Sequence, residues 1–272
     1  MKKRKRDLKD IVRSKYDQIA QQSKTENESS CCGSGPSVCC GEDYSMFNDD
    51  YSNVEGYNAD ADLGLGCGIP TDFAGLREGQ TVLDLGSGAG NDCFVARSIV
   101  GESGFVYGID FSEEMLQKAE ANLQKMGYEN MQFVKGDIDN MPFGGDMMDV
   151  VLSNCVLNLV PDKQKAFEEM HRILKPGGHF CVSDVVLLGE LPDSLKQDAE
   201  MYAGCVSGAL PKEEYLKAIE TAGFKEVLIH KQKEIIIPDE ILLKYLSEEE
   251  LAAFKQSEKG IYSITVSAKK QL

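Results

Sequence analysis

The chain has 272 residues and a net charge of −16, with 45 Asp and Glu against 29 Lys and Arg. Such a surface repels phosphate backbones and anionic lipid, which excludes nucleic acid and membrane partners. No apolar run approaches the roughly 20 residues that a membrane helix needs. Subtracting the five positives of residues 2–6 (KKRKR) leaves −21 on the rest of the chain. That basic run reads as the solvated start of a helix, with a nuclear signal or a patch for polyanions as the alternative. No hydrophobic run follows it, so a secretory signal is not expected and a reducing, cytoplasmic setting is. The nine cysteines then read as ligands, nucleophiles or buried apolar residues rather than as a disulfide frame.

Leu8, Ile11, Val12, Tyr16 and Ile19 recur at helical spacing and predict an amphipathic helix over residues 5–20. Residues 21–45 are rich in Ser, Gly and polar side chains and have little to bury, so a mobile arm is expected. The arm carries two vicinal cysteine pairs, Cys31–Cys32 and Cys39–Cys40. From Thr81 strands and helices alternate. Strands are expected at 81–85, 104–110, 131–135, 148–153 and 179–186, and helices at 93–100, 112–126 and 162–174. Ser112 suits the N-cap of its helix, with Glu113 and Glu114 favouring the dipole, and Lys175-Pro-Gly-Gly stops the helix before it. The run 179–186 is apolar almost throughout, as a strand covered on both faces requires. A long connection, 187–210, holds Cys205, and helix 211–222, strand 225–230, a helical stretch over 238–256 and an alternating strand 261–269 follow. The fold class this implies is α/β: a Rossmann-like, doubly wound, mostly parallel sheet with an antiparallel last strand, plus a flexible Cys-rich N-terminal arm.

Between the first strand and its helix stands Gly86-Ser-Gly88-Ala-Gly90, a loop that lets backbone approach a ligand closely. Asp110, twenty residues past Gly90 at the end of the second strand, is placed to take ribose hydroxyls. Those two features suit a nicotinamide dinucleotide as well as S-adenosylmethionine. Asp84, two residues before Gly86, separates them, because a pyrophosphate avoids a carboxylate that a methionine ammonium approaches. Asp137-Ile138, just after the third strand, offers a carboxylate to an adenine amine and an aliphatic lid to its ring. VLDLGSGAG, GIDFSEEML, GDIDNMPF, LSN and LKPGGHF, in that order, resemble the class I methyltransferases over residues 81–186. The resemblance implies S-adenosyl-L-methionine as cofactor, bound by Asp84, Gly86, Gly88, Gly90, Asp110, Phe111, Asp137, Ile138 and Asn154.

A methyltransferase fold leaves the acceptor open, and the cysteines narrow it. Cys181, inside a strand, and Cys93, in the first turn after the glycine loop, read as packing residues. Cys155 follows Asn154 at the C-terminal end of the fourth strand, the edge that faces the ligand crevice of a parallel sheet. Cys67 in LGLGCGIP and Cys205 in YAGCVSGAL lie on segments able to fold over the same crevice. Zinc is the rival for clustered cysteines, but His171, His179 and His230 stand at no zinc-binding spacing with them.

ADLGLGCGIP, SNCVLNL and GCVSGAL resemble the three thiol segments of the arsenite methyltransferases, and the vicinal pairs resemble the arm of one branch of that family. This wider resemblance spans about residues 8–223. It implies that Cys67, Cys155 and Cys205 are catalytic residues and the ligands of trivalent arsenic. It also implies arsenite and methylated trivalent arsenicals as substrates, and a thiol reductant of the glutathione or thioredoxin type. Cys31, Cys32, Cys39 and Cys40 are arm candidates for capture or for a disulfide with Cys67. The expected division is an N-terminal helix and arm over 1–60, a cofactor-binding domain over 61–186, and a substrate-covering connection with a C-terminal α/β region over 187–272. Two other readings remain: a class I methyltransferase acting on a quinone or other small organic acceptor, and a thiol-based metalloid-binding protein.

Overall fold

Seven strands form one sheet in the order β3-β2-β1-β4-β5-β7-β6. The computed structural model describes residues 2–22, 49–189, 208–236, 239–243, 246–257 and 259–272; the arm with Cys31, Cys32, Cys39 and Cys40, and Cys205 in the long connection, lie outside them. Strands β1 (Thr81–Leu85), β2 (Phe105–Asp110), β3 (Met131–Lys135), β4 (Met148–Asn154) and β5 (Leu174–Leu188) pair in parallel. The last strand, β7 (Gly260–Lys269), runs antiparallel between β5 and the edge strand β6 (Lys225–Ile235).

Apolar residues alternate across the central strands and feed two cores. On one face Leu83, Val151 and Phe180 pack with Phe167 of α4 (Lys163–Ile173) and Tyr215 of α5 (Lys212–Thr221). On the other, Val82, Leu152 and Cys181 pack with Phe94 of α2 (Asn91–Val100) and Met115 of α3 (Glu113–Met126). Helices on both faces make the sheet doubly wound, as the alternation of elements predicted. Each fully buried Phe or Leu in these layers contributes about 1.5–3 kcal/mol of burial free energy. The helix starts obey local chemistry: Ser112 Oγ accepts from the Met115 N–H at 3.1 Å, and Asp162 Oδ1 accepts from the Lys165 N–H at 3.3 Å.

Three departures from the sequence expectations have clear causes. β5 starts at Leu174 rather than His179, because Met148 pairs Leu174 and Val150 pairs His179, so the ladder shifts register across Lys175-Pro-Gly-Gly. The stretch over 238–256 is two helices, α6 (Asp239–Leu242) and α7 (Glu248–Gln256), the second opened by a capping box between Ser247 and Glu250. The N-terminal helix α1 (Lys2–Ala20) leaves the surface of α3 to reach over the sheet's C-terminal edge. Its Asp17 Oδ1 accepts from Ser112 Oγ at 2.7 Å, Lys118 Nζ donates to the Ala20 and Gln22 carbonyls, and Arg13 stacks over the Phe111 ring at 5.6 Å.

Among the described residues no helix is long and apolar enough to cross a membrane. The ends of the long connection meet at the sheet: the Leu187 N–H donates to the Leu210 carbonyl at 2.9 Å, beside a parallel bridge between Leu187 and Pro211.

Candidate active site

The C-terminal ends of β1, β2 and β4 open into a crevice of about 890 Å³ that is continuous with solvent. Gly86, Gly88 and Gly90 line or bound it with φ of +64°, +50° and +100°, values that only glycine adopts without strain. A Cβ at Gly86 would also stand 2.6 Å from the Val156 methyls, so the loop is pressed onto the segment that follows β4. The Gly86 and Ser87 amides both donate to the Ile109 carbonyl, at 2.8 and 3.0 Å, which ties the loop to the end of β2.

Three buried carboxylates face this space: Asp84, Asp92 and Asp110. Burial pushes the Asp84 carboxyl well up, the Asp92 charge pushes it further, and a hydrogen bond from the Cys93 thiol at 3.4 Å opposes both. Burial likewise raises Asp92 to about 6, against hydrogen bonds from Tyr51 and Asn154. Asp110 is raised to about 6 by burial although the Gly88 and Ser112 amides donate to it at 3.0 and 2.8 Å. Among the described residues that line the crevice there is no Lys or Arg. Carboxylates without a cation favour a ligand that brings its own positive charge. Two more polar atoms have no partner within the protein, Ser87 Oγ and Asn91 Oδ1, and both residues line the same walls. A sulfonium and an ammonium on an adenosine fit this set.

A second cavity adjoins the first and shares Gly86, Asp110 and Phe111 with it. Ile138, Leu159 and Val160 all line it and make part of its wall apolar. Asp137 stands at its rim, where Lys9 of α1 donates to Asp137 Oδ1 at 3.0 Å and to Asp139 at 3.3 Å. The amphipathic pattern foretold the helix; nothing in it showed that Tyr16 would line the crevice or that Lys9 and Val12 would line the second cavity.

Cys155 lies on the crevice wall beside Asn154 and Val156. It holds a φ of +60°, uncommon for a residue with a Cβ, and its N–H donates to the Ser183 carbonyl at 2.8 Å. Cys67 is 3% exposed, and it shares an apolar cluster with Cys155, Leu159 and Val185. Its segment is stitched across the end of the sheet: the Cys67 N–H donates to Asn154 Oδ1 at 3.0 Å, and Ser263 Oγ donates to the Cys67 carbonyl. The flanking glycines permit this approach, since a Cβ at Gly66 would meet Asn154 Nδ2 at 2.7 Å and one at Gly68 would meet Ser183 Oγ at 2.5 Å. Ala209, four residues beyond Cys205, is buried in the same cluster. Tyr215 lies within electrostatic reach of both Cys67 and Cys155, and its phenol is pushed well up by burial and by Asp184, whose carboxylate accepts its O–H at 3.1 Å.

The structure thus brings together Asp84, the loop glycines, Asp110, Phe111, Asn154, Cys67 and Cys155, with Asp137 and Ile138 at the second cavity. The other two described cysteines stand apart. Cys93 is fully buried and its thiol is pushed well up by burial and by Asp84. Cys181 is buried in β5 and pushed up to about 12 by burial. Both pack the core opposite Phe167. Tyr51 and Asp92 escaped the sequence reading; Asp92 sits in the first turn after the glycine loop, but Tyr51 comes from a stretch with no motif.

Residues 76–223 match the family model described as a methyltransferase domain. The chain is 40% identical over 242 residues to an arsenite methyltransferase of Halobacterium salinarum, covering 84% of this chain and 60% of that protein. It is 37% identical over 190 residues to an arsenite methyltransferase of Aquipseudomonas alcaligenes, covering 67% of this chain and 54% of that one. Its fold is similar to the X-ray structure of CrArsM, an arsenic(III) S-adenosylmethionine methyltransferase from Chlamydomonas reinhardtii, with a TM-score of 0.65 and 35% identity over 76% of this chain and 68% of that one. The chain therefore spans about 54–60% of the length of these curated relatives.

Proposed function

This chain belongs to the arsenite methyltransferase family, and we propose that it transfers a methyl group from S-adenosylmethionine to trivalent arsenic held by its own thiols, in arsenic detoxification. The observation that carries the reading is the shared wall: Cys155 lines the same crevice as Asp84, Asp92 and Asp110, with Cys67 buried in the cluster behind it. When bound there, S-adenosylmethionine supplies an electrophilic methyl group on a sulfonium.

The residues of this chain account for the rest of the chemistry. Asp110 accepts the ribose hydroxyls, Asp84 faces the methionine ammonium, Ile138 covers the adenine and Asp137 takes its amine. The loop glycines, Phe111 and Asn154 complete that wall. Cys67, Cys155 and Cys205 displace the three hydroxyls of arsenous acid as three waters, each thiol giving its proton to the leaving hydroxyl. Arsenous acid is neutral near pH 7, so the acidic surface does not repel it. Three sulfurs leave arsenic pyramidal, its lone pair opposite them, and an aligned lone pair needs no general base. Orientation and exclusion of water then carry catalysis, and orientation alone can offset roughly 7–11 kcal/mol of barrier. The apolar side chains around the thiols, Leu159 and Val185 among them, keep water out.

Forming the arsenic–carbon bond raises arsenic formally to the pentavalent state. Two thiolates return it to the trivalent state by leaving as a disulfide, which takes up the two-electron change. We assign Cys67 to that disulfide, with a partner from Cys31, Cys32, Cys39 or Cys40. A dithiol or glutathione-type reductant regenerates the pair, which fits a reducing cytoplasm. In this reading residues 1–60 deliver thiols, 61–186 hold the cofactor and 187–272 cover the substrate.

Titration of free thiols with and without arsenite tests the reading. Loss of about three thiols per chain, as a tri-thiolate site demands, supports a soft ligand. No loss of thiols leaves a methyltransferase for a quinone or another organic acceptor.

A further inference from the structure

We infer that Tyr51 and Asp92 are positioning residues that couple the cofactor crevice to Cys67 through the Asn154 amide. The inference rests on the reading of the crevice as the S-adenosylmethionine site. Asn154 faces two ways. Its Oδ1 accepts the Cys67 N–H at 3.0 Å; its Nδ2 lies 2.9 Å from Tyr51 Oη, 2.8 Å from the Gly68 carbonyl and 3.1 Å from Asp92 Oδ2. One amide thus holds the chain on both sides of Cys67 and also touches a carboxylate of the crevice wall.

Tyr51 locks the arrangement. Its hydroxyl has one proton, and the contact with Asp92 Oδ1 at 2.6 Å is far shorter than the one with the Gly68 carbonyl at 3.1 Å, so the proton points at Asp92. The lone pairs of Oη are then free to accept from Asn154. Tyr51 is 5% exposed and Asp92 8%, so this chain of hydrogen bonds runs out of water and each bond depends on its neighbours. Burial, with the Asp92 charge beside it, also pushes the Tyr51 phenol well up, which keeps it a donor.

The coupling follows from charge. A cationic ligand beside Asp84 and Asp92 holds Asp92 ionised, and an ionised carboxylate is the stronger acceptor for the Tyr51 O–H and the Asn154 N–H. Both bonds tighten, and the amide grips the Cys67 segment. The same linkage read backwards tightens the cofactor when Cys67 is fixed. A chain that binds its metalloid before the methyl donor arrives would present Cys67 less firmly than one already loaded.

Cys67 is buried, so its alkylation reports opening of its segment rather than surface reactivity. The test is the rate of alkylation of Cys67 by iodoacetamide, mapped by peptide mass, in the full reduced chain with and without S-adenosylhomocysteine, which carries the same adenosine and ammonium. Cys155 serves as the internal control, since it lines the crevice and a ligand there covers it directly. In the native chain the ligand slows Cys67 alkylation by about 5- to 150-fold, the span of ordinary site–site coupling. In Tyr51→Phe, which keeps the ring, the ligand still binds and still protects Cys155, but protection of Cys67 falls to under about twofold, a loss of most of that coupling. Asp92→Asn weakens the ligand as well, because it removes a carboxylate of the crevice wall, so it is assayed at ligand raised to saturation. There Cys155 is protected and protection of Cys67 is lost, and this variant carries the test if Tyr51→Phe melts below the assay temperature.

Equal protection of Cys67 in native and variant chains overturns the inference, because direct coverage then explains it. So does unchanged Cys67 reactivity in a native chain that calorimetry shows to be saturated with ligand. Failure of S-adenosylhomocysteine to bind the native chain at all is a different result: it removes the cofactor reading itself.

Discussion

The wall that faces the cofactor and the wall that carries the thiols are held in opposite ways. The cofactor wall is local and polar. Gly86, Gly88, Gly90 and Asp110 lie within one strand–helix–strand unit and are fixed by backbone bonds such as Gly88 N–H to Asp110 and Ser87 N–H to the Ile109 carbonyl. The thiol wall is remote and apolar. Cys67 is joined to Asn154 across 87 residues and to Ser263 across 196, and it packs with Val185 and Ile261. A local wall is rigid before any ligand arrives. A wall assembled from distant segments depends on each of its stitches, which suits a substrate that must be captured, methylated and released.

The sharpest way to break this comparison is Cys155→Ser. Its oxygen does not outcompete water for trivalent arsenic, so methylation should fall by at least about a hundredfold, as expected when an orienting ligand is lost. Affinity for S-adenosylhomocysteine should stay within about threefold of native, because Cys155 contributes a wall and no charge. Retained methylation would mean that the two walls do not meet at this residue.

Asp110→Ala attacks the other wall. It removes the charged acceptor of the ribose hydroxyls, a contact worth about 1.5–3 kcal/mol in all, so calorimetry should read S-adenosylhomocysteine binding weakened by about 10- to 150-fold. Arsenite-dependent loss of thiols should be unchanged. Unaltered affinity would take Asp110 out of the site.

Gly68→Ala probes the stitching. The added Cβ would stand 2.5 Å from Ser183 Oγ and 2.8 Å from Ser183 Cβ, with Thr265 Oγ1 at 3.3 Å. Ser183 and Thr265 pair in the interior of the β5–β7 ladder and cannot move aside cheaply, so stability should fall by about 1–3 kcal/mol in denaturant titration, with arsenite capture lost faster than cofactor binding. Equal loss of both would mean that the walls are one unit.

The legibility of the two walls in sequence follows the same division. That the glycine loop, Asp84 and Asp110 would share one crevice was readable because they lie within about 30 residues of chain, and Ser112 announced its helix by its own side chain, whereas the cap at Asp162 was not read. The strand order was readable in class but not at β5, where only the pairing with β4 shows how Lys175-Pro-Gly-Gly is carried inside a strand. Cys67 and Cys155 stood out by their glycine and asparagine frames. Their support did not: Tyr51, the carbonyl contact from Ser263 and the reach of Lys9 to Asp137 exist only once distant segments meet.

The mildest effect concerns pH and separates the walls by charge. Asp92 and Asp110 are each raised to about 6 by burial. A cationic ligand prefers them ionised, so binding lowers both and releases protons. Affinity for S-adenosylhomocysteine should therefore rise from pH 5 to pH 7, by no more than tenfold per unit for each group, and flatten above. In the ligand-free protein the sign is reversed: carboxyls raised above their unfolded value of 3.8 hold extra protons, so their contribution to stability falls as pH climbs through the interval from about 4 to 6. Calorimetry in buffers of different ionisation enthalpy reads the proton release. Proton uptake on binding would contradict the assignment of these carboxylates to a cationic cofactor.

The central claim is that the two walls meet around arsenic. The direct measurement is turnover with arsenite, a dithiol reductant and S-adenosylmethionine labelled in its methyl group, followed by separation and identification of the arsenic species. The account predicts label in methylated arsenicals, formed only with the reductant present beyond the first turnover and absent in Cys155→Ser. Arsenite that binds the thiols but is recovered unmethylated, with the cofactor bound and unconsumed, would contradict it.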